Sequence, residues 1–138
     1  MLNDQTILLA EDDANDVMLI QRAFQKAGLR NVLKIVRDGD AAIKYLRGEG
    51  PYADRDQYPL PFLLLLDLKM PGTDGFEVLE WLQTHGTEDL TVVVLTDSMN
   101  PEHLKRALDL GADHFHLKSR TAQDRQALIL ALEEYLLH

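Results

Sequence analysis

The sequence contains no cysteine. Disulfide bonds, thiol nucleophiles and cysteine-ligated zinc are therefore excluded, and the absence fits a reducing cytoplasm, the location expected here. Basic residues are scarce: 14 Lys and Arg stand against 23 Asp and Glu, a formal charge of -9. A surface of that sign repels nucleic acid and anionic lipid, so neither is expected as a partner. Apolar runs such as FLLLL at 62–66 fall far short of the ~20 residues a membrane helix needs. The opening MLNDQ has neither a basic region nor an apolar stretch, so no signal peptide is expected. What is present is 138 residues, 46% of them hydrophobic. That is enough to bury one core and too short for two domains of ordinary size. A single domain over 1–138, with no separate output domain, is the expectation.

Short apolar runs alternate with longer amphipathic stretches. TILLA (6–10), VLKIV (32–36), FLLLLD (62–67), LTVVVLT (90–96) and ADHFHLK (112–118) read as strands. Between them, 13–28, 38–48, 75–85 and 101–111 read as helices, and 121–138 closes the chain as a fifth. In the first helix Val17, Ile20, Phe24 and Ala27 recur at helical spacing, with Asp13 at its start and Gly28 at its end. The third and fourth runs are apolar throughout, as expected of parallel strands covered on both faces. The alternation predicts an α/β protein: a flavodoxin-like (βα)5 doubly wound parallel sheet of strand order 2-1-3-4-5. GEGPYADRDQYPLP (48–61), rich in Pro, Gly and Tyr, reads as a surface loop before the third strand.

In such a sheet ligands bind at the carboxyl ends of the strands. The first strand delivers Glu11, Asp12 and Asp13 there, the third Asp67, the fourth Thr96 and the fifth Lys118. Singly, these are ordinary polar strand ends. Together, at four strand ends in chain order, they form a chemical set. Crowded acids are costly unless a cation sits among them. An all-oxygen donor set favours Mg²⁺ over zinc. A carboxylate beside Mg²⁺, with a lysine and a hydroxyl opposite, suits uptake of a phosphoryl group. Asp67 would be the nucleophile, Lys118 and the cation would stabilise the transferring oxygens, and Thr96 would bond to the phosphoryl group.

The runs ILLAEDD, LLLLDLKMPGTDGFEVL, VVVLTDS and GADHFHLK carry a resemblance, over essentially the whole chain, to response-regulator receiver domains. The resemblance implies that Glu11 and Asp12 organise Mg²⁺, Glu11 through water, with Asp67 as a direct ligand and phosphoacceptor and the backbone carbonyl of Lys69 completing the set. It implies a histidine kinase or a histidine phosphotransfer protein as donor. It implies no separate substrate turnover, only self-catalysed gain and loss of the phosphoryl group. It pairs Thr96 with Phe115 as a switch that remodels the face of helix 4, strand 5 and helix 5. The 48–61 segment and the absence of Pro after Lys118 further resemble stand-alone regulators of bacterial and cyanobacterial phytochromes. These imply a phytochrome-type kinase and a homodimer through that same face. The apolar residues Leu128, Ile129, Leu132, Tyr135, Leu136 and Leu137 exceed what one buried helix face needs and point to the same surface.

The sequence departs from the family pattern at three places. Ser119 stands where Pro usually follows the lysine. Asp97 follows Thr96 in place of a small residue and is expected to face solvent. Lys69 lies two residues after Asp67, where its ammonium is expected to reach the phosphoryl group and obstruct the hydrolytic water. Lys69 also occupies the place where a dehalogenase-type hydrolase needs a second Asp. A flavin or nucleotide binder would need a Gly- or Ser-rich loop where EDDAND stands. A pseudo-receiver, binding proteins without being phosphorylated, is the alternative left open by Ser119 and Asp97. The histidines, His114 and His116 included, read as solvated or capping, and Trp81 as packing.

Overall fold

The computed structural model describes residues 5–86, 89–97, 100–118 and 121–137. Five strands, β1 (Ile7–Ala10), β2 (Leu33–Val36), β3 (Leu63–Asp67), β4 (Thr91–Thr96) and β5 (His114–Leu117), form one parallel sheet in the order 2-1-3-4-5. The helices are α1 (Ala14–Ala27), α2 (Gly39–Arg47), α3 (Gly75–His85), α4 (Pro101–Asp109) and α5 (Ala122–Leu137). The expected fold class and strand order hold.

Side-chain alternation along the strands divides the core in two. Ile7, Leu9, Leu63, Leu65, Val93 and Leu95 pack against Val17, Ile20 and Phe24 of α1 and Leu128, Ile129, Leu132 and Leu136 of α5. Leu8, Ala10, Leu64, Leu66, Val92 and Val94 face α2, α3 and α4. Four of the six α5 residues read as a surplus surface are therefore core; helix α5 lies over the sheet centre and needs them there. Tyr135 is half-buried, and the Leu137 side chain lies outside the described residues. Among the described residues of α5, Leu130 is the exposed large apolar side chain.

Helix starts follow local hydrogen bonding. Asp13 caps α1 by accepting from the amides of Asn15 and Asp16, and Gly28 closes it with φ of 74°. Asp74 and Glu77 form a reciprocal capping box at α3. Asn100 caps α4, and the Thr121 hydroxyl accepts from the Asp124 amide at the start of α5. The 48–61 segment is more ordered than a surface loop. It opens with a 3-10 turn, Gly50–Tyr52; Tyr58 packs edge-on against both Tyr52 and buried Tyr45 of α2, and Tyr52 meets Tyr45 at a tilt. Arg55 donates to the carbonyls of Tyr45, Leu46 and Tyr58 at 2.9–3.2 Å and so satisfies the C-terminal end of α2.

Of the described histidines, His85 is exposed in the last turn of α3, as expected of a solvated or capping residue, with its Nδ1 2.9 Å from the Trp81 carbonyl oxygen, whereas His103, His114 and His116 are half-buried against aromatic rings. His114 stacks on Tyr135 (3.8 Å between centroids), and His116 Nε2 lies 2.8 Å from the Tyr135 hydroxyl. His85 stacks on Trp81, and His103 meets Phe76 edge-on. For His103, His114 and His116 aromatic neighbours supplied by other elements decide these positions. His138 lies outside the described residues. Among the described residues no helix is long and apolar enough to cross a membrane.

Candidate functional site

Strand register brings the polar strand ends to one edge. Ala10 pairs with Leu66, Asp67 with Leu95, and Thr96 with Leu117. The residues that end or follow these strands thus share one level. Alternation then sorts them by side. Glu11 and Lys118 continue the rows of Ile7 and Leu9 and of His114 and His116, and Asp67 ends the row of Leu63 and Leu65. Those rows face α1 and α5. Thr96 ends the row of Val92 and Val94, which faces α2, α3 and α4.

On the first side Lys118 is the hub. Its Nζ lies 2.7 Å from Glu11 Oε1, 3.0 Å from Asp67 Oδ2 and 3.3 Å from Asp16 Oδ2. Burial alone lowers a lysine pKa, but the carboxylates of Glu11 and Asp67 more than offset it, and the Lys118 pKa is raised. Glu11 has no exposed surface. Burial, with the Asp67 carboxylate beside it, pushes the Glu11 carboxyl up to about 8 against the pull of Lys118.

Glu11, Asp12 and Asp67 each offer an oxygen, and the three lie within 4.8 Å of one another. Asp12 is exposed while Glu11 and Asp67 are buried. Buried carboxylates that close, with all-oxygen donors and an open side at Asp12, fit a hard divalent cation. Local bonds hold the arrangement. The Lys69 amide donates to Asp67 Oδ1, the Asp13 amide donates to Glu11 Oε2, and Arg37 donates to the Asp12 carbonyl. Gly75, at the start of α3, sits against this backbone: a Cβ there would lie 2.5 Å from the Asp67 carbonyl oxygen. Any side chain at that position would displace the chain around Asp67.

On the other side, Thr96 is buried and shares an open recess with Asp12, Lys69, Pro71, Phe76 and His103. Phe115 is half-buried and packs against the α2–α3–α4 core. The Lys69 ammonium does not lie on Asp67; it pairs with Asp97 at 3.5 Å, both exposed. Asp97 thus holds an ion pair at the rim instead of facing solvent alone. Ser119 lies outside the described residues.

Sequence reasoning passed over Asp16. It stands four residues before Ile20 and eight before Phe24, on the stripe that α1 buries, and one turn above Ile20 that stripe reaches the strand ends. Helical periodicity alone was the signal that could have found it.

The response regulator receiver domain model matches residues 7–131. Response regulator Rcp1 of Synechocystis sp. is 35% identical over 134 residues, covering 96% of this chain and 89% of its own. The Mn²⁺-bound form of Rcp1 superposes with a TM-score of 0.80 at 34% identity, over 97% of this chain and 95% of that one. The phosphorylated cyanobacterial phytochrome response regulator RcpA gives 0.86 at 35% identity, over 97% and 94%. The probable methanogenesis regulatory protein FilR2 of Methanothrix harundinacea is 35% identical over 132 residues, 95% of this chain and 83% of its own. With its model match, strand order and acidic edge, this chain belongs to the response regulator receiver domain family and resembles response regulators of the phytochrome type.

Proposed function

We propose that the protein is a phosphorylation switch in which Asp67 takes a phosphoryl group from a histidine kinase or a histidine phosphotransfer protein. The observation that carries this reading is the Lys118 ammonium 3.0 Å from Asp67 Oδ2, beside three carboxylates whose oxygens lie within 4.8 Å. In the transfer, the phosphorus–nitrogen bond of the donor's phosphohistidine breaks as a bond from an Asp67 oxygen to phosphorus forms. Lys118 holds one phosphoryl oxygen and Thr96, through its hydroxyl, another. Asp12, Asp67, the backbone carbonyl of Lys69 and, through water, Glu11 would hold Mg²⁺. When bound, the cation neutralises charge on the phosphoryl oxygens. Gly75 keeps α3 close to the Asp67 backbone, so the acceptor keeps its orientation.

Drawing Thr96 toward the phosphoryl group vacates space on the α4 side, and Phe115 turns into it. The surface of α4, β5 and α5 changes and with it the protein's contacts, homodimerisation among them. The similarity to Rcp1 and RcpA favours a phytochrome-type kinase as donor.

The test is intact mass after incubation with acetyl phosphate, with and without Mg²⁺, alongside Asp67→Asn. A Mg²⁺-dependent phosphoryl adduct on wild type alone is expected. No adduct, together with no binding of beryllium fluoride, would overturn the reading in favour of a protein-binding pseudo-receiver.

A further inference from the structure

The turn from β2 into α2, residues 37–40, supplies none of the carboxylates gathered around Lys118. It nevertheless holds both chain segments that supply oxygens there. On one side, the Glu11 amide donates to the Val36 carbonyl at 3.0 Å, and Arg37 Nη2 donates to the Asp12 carbonyl at 2.9 Å. On the other, the Gly39 amide donates to the Thr73 carbonyl at 3.1 Å, and the Thr73 hydroxyl donates to Asp40 Oδ1 at 2.6 Å. The approach at Gly39 is close. A Cβ there would lie 2.1 Å from the Thr73 carbonyl oxygen and 2.8 Å from Thr73 Cγ2. Gly39 is buried, and its φ lies outside the left-handed region, so the position needs the missing side chain and not the backbone freedom. Thr73 belongs to the run 68–74 between β3 and α3, and that run has little slack. The Gly75 amide closes it on the Leu68 carbonyl at 3.1 Å, and the Lys69 amide is held by Asp67 Oδ1. Pro71 fixes its own φ, and Asp74 is committed to the α3 cap. A displacement of Thr73 is therefore passed back to Lys69.

Given the cation site of the proposed switch, we propose that the 37–40 turn is a brace that sets the separation of its Asp12 and Lys69 sides, and with it the preference for a small cation. Arg37, Gly39 and Thr73 are positioning residues: they act through the backbone at Asp12 and at Lys69 and touch no reacting atom. Asp40 serves the same brace by accepting from Thr73. Ion size makes the consequence specific. Mg²⁺ demands a near-octahedral oxygen shell at about 2.0–2.1 Å, whereas Ca²⁺ accepts looser shells at about 2.3–2.6 Å. Two ligand-bearing segments tied to one turn suit the stricter ion. Loosening the turn costs Mg²⁺ more than Ca²⁺, while general damage to the fold costs both alike.

The test is two-dimensional amide NMR of the full chain, titrated with magnesium chloride and, separately, calcium chloride at constant ionic strength. In wild type each ion should shift amides within 11–13 and 67–70. Gly39→Ala should weaken Mg²⁺ by about tenfold or more and Ca²⁺ by no more than about threefold. Thr73→Ala, which removes one hydroxyl, and Arg37→Ala, which releases the Asp12 carbonyl, should each show the same bias at about threefold for Mg²⁺. Thr73→Ser keeps the hydroxyl and should bind both ions as wild type does. Urea denaturation in chelator establishes that each variant is folded; should Gly39→Ala fail to fold, Thr73→Ala and Arg37→Ala decide. Mg²⁺ affinity unchanged in the folded variants, or equal losses for the two ions, would overturn the brace and leave the cation site standing. A wild type whose amides at 11–13 and 67–70 respond to neither ion would overturn the cation site and the brace with it.

Discussion

Lys118 faces three carboxylates, and their unequal burial gives each a different role. Glu11 is wholly enclosed, and its raised pKa means that between its ordinary 4.5 and about 8 the folded protein holds a proton the unfolded chain has released. Across that window the contribution of Glu11 to stability falls as pH rises. Glu11→Gln removes this term. In chelator, urea denaturation of wild type should therefore lose on the order of 1–3 kcal/mol relative to the variant as pH is raised through the window. Parallel pH profiles would refute the assignment. The rim behaves differently. The exposed Lys69–Asp97 pair should be worth less than about 0.5 kcal/mol, so its interest is kinetic. If the Lys69 ammonium leaves Asp97 for the phosphoryl group, it should obstruct the hydrolytic water, and Asp97 competes with that move. Phosphate-release assays should show several-fold faster loss from phosphorylated Lys69→Ala and slower loss from Asp97→Ala. A Lys69→Ala rate equal to wild type would discard the idea. Of these residues the sequence exposed Glu11, Asp67 and Lys118, because strand ends are legible. It did not expose Asp16 or the Lys69–Asp97 pairing, which depend on how a helix and a loop close over the sheet.

Elements were legible where the chain signals its own ends. The Asp13 cap, the Gly28 stop and the wholly apolar β3 and β4 state their structure locally. The 48–61 segment does not, because its order is tertiary: three tyrosines converge, and Arg55 reaches back to α2. Helix α2 has only nine residues, too few to be stable without outside contacts. Arg55→Ala removes hydrogen bonds to three carbonyls, two of them at the end of α2. Urea denaturation should register a loss of about 2 kcal/mol. Arg55→Lys should recover little, since one ammonium lacks the planar fork that spans several carbonyls. Phosphorylation by acetyl phosphate should be unchanged in both variants, because the segment leads into the amino end of β3 while Asp67 stands at the carboxyl end. Impaired phosphorylation with stability intact would show instead that the segment reaches the site. The last helix was misjudged for a related reason. Its apolar count was read correctly, but the count alone does not say how much the sheet beneath it covers.

Across the whole molecule the sheet separates two tasks. Glu11, Asp67 and Lys118 gather on the α1–α5 side, while Thr96 and Phe115 belong to the α2–α3–α4 side. Chemistry on one side can therefore move packing on the other through Thr96 at the sheet edge. Helix α4 is the loosest part of that second layer: among its described residues only Ala107 is buried, and Arg106 ties it to α3 through Glu80 and the Phe76 ring. Three exposed leucines, Leu108, Leu117 and Leu130, fall one each on α4, β5 and α5, with 44%, 51% and 60% of their surface accessible. Leucines exposed to that extent on three adjoining elements favour a self-complementary contact on this face. Sedimentation velocity should find wild type dimeric at micromolar concentration. Leu130→Glu and Leu108→Glu should each weaken the dimer by about tenfold or more, since each buries a charge at the centre of the contact. Phosphorylation by acetyl phosphate should proceed in both variants, which separates loss of the interface from loss of the site. A wild type that stays monomeric both with and without beryllium fluoride would leave the face to a different protein and remove self-association from the mechanism.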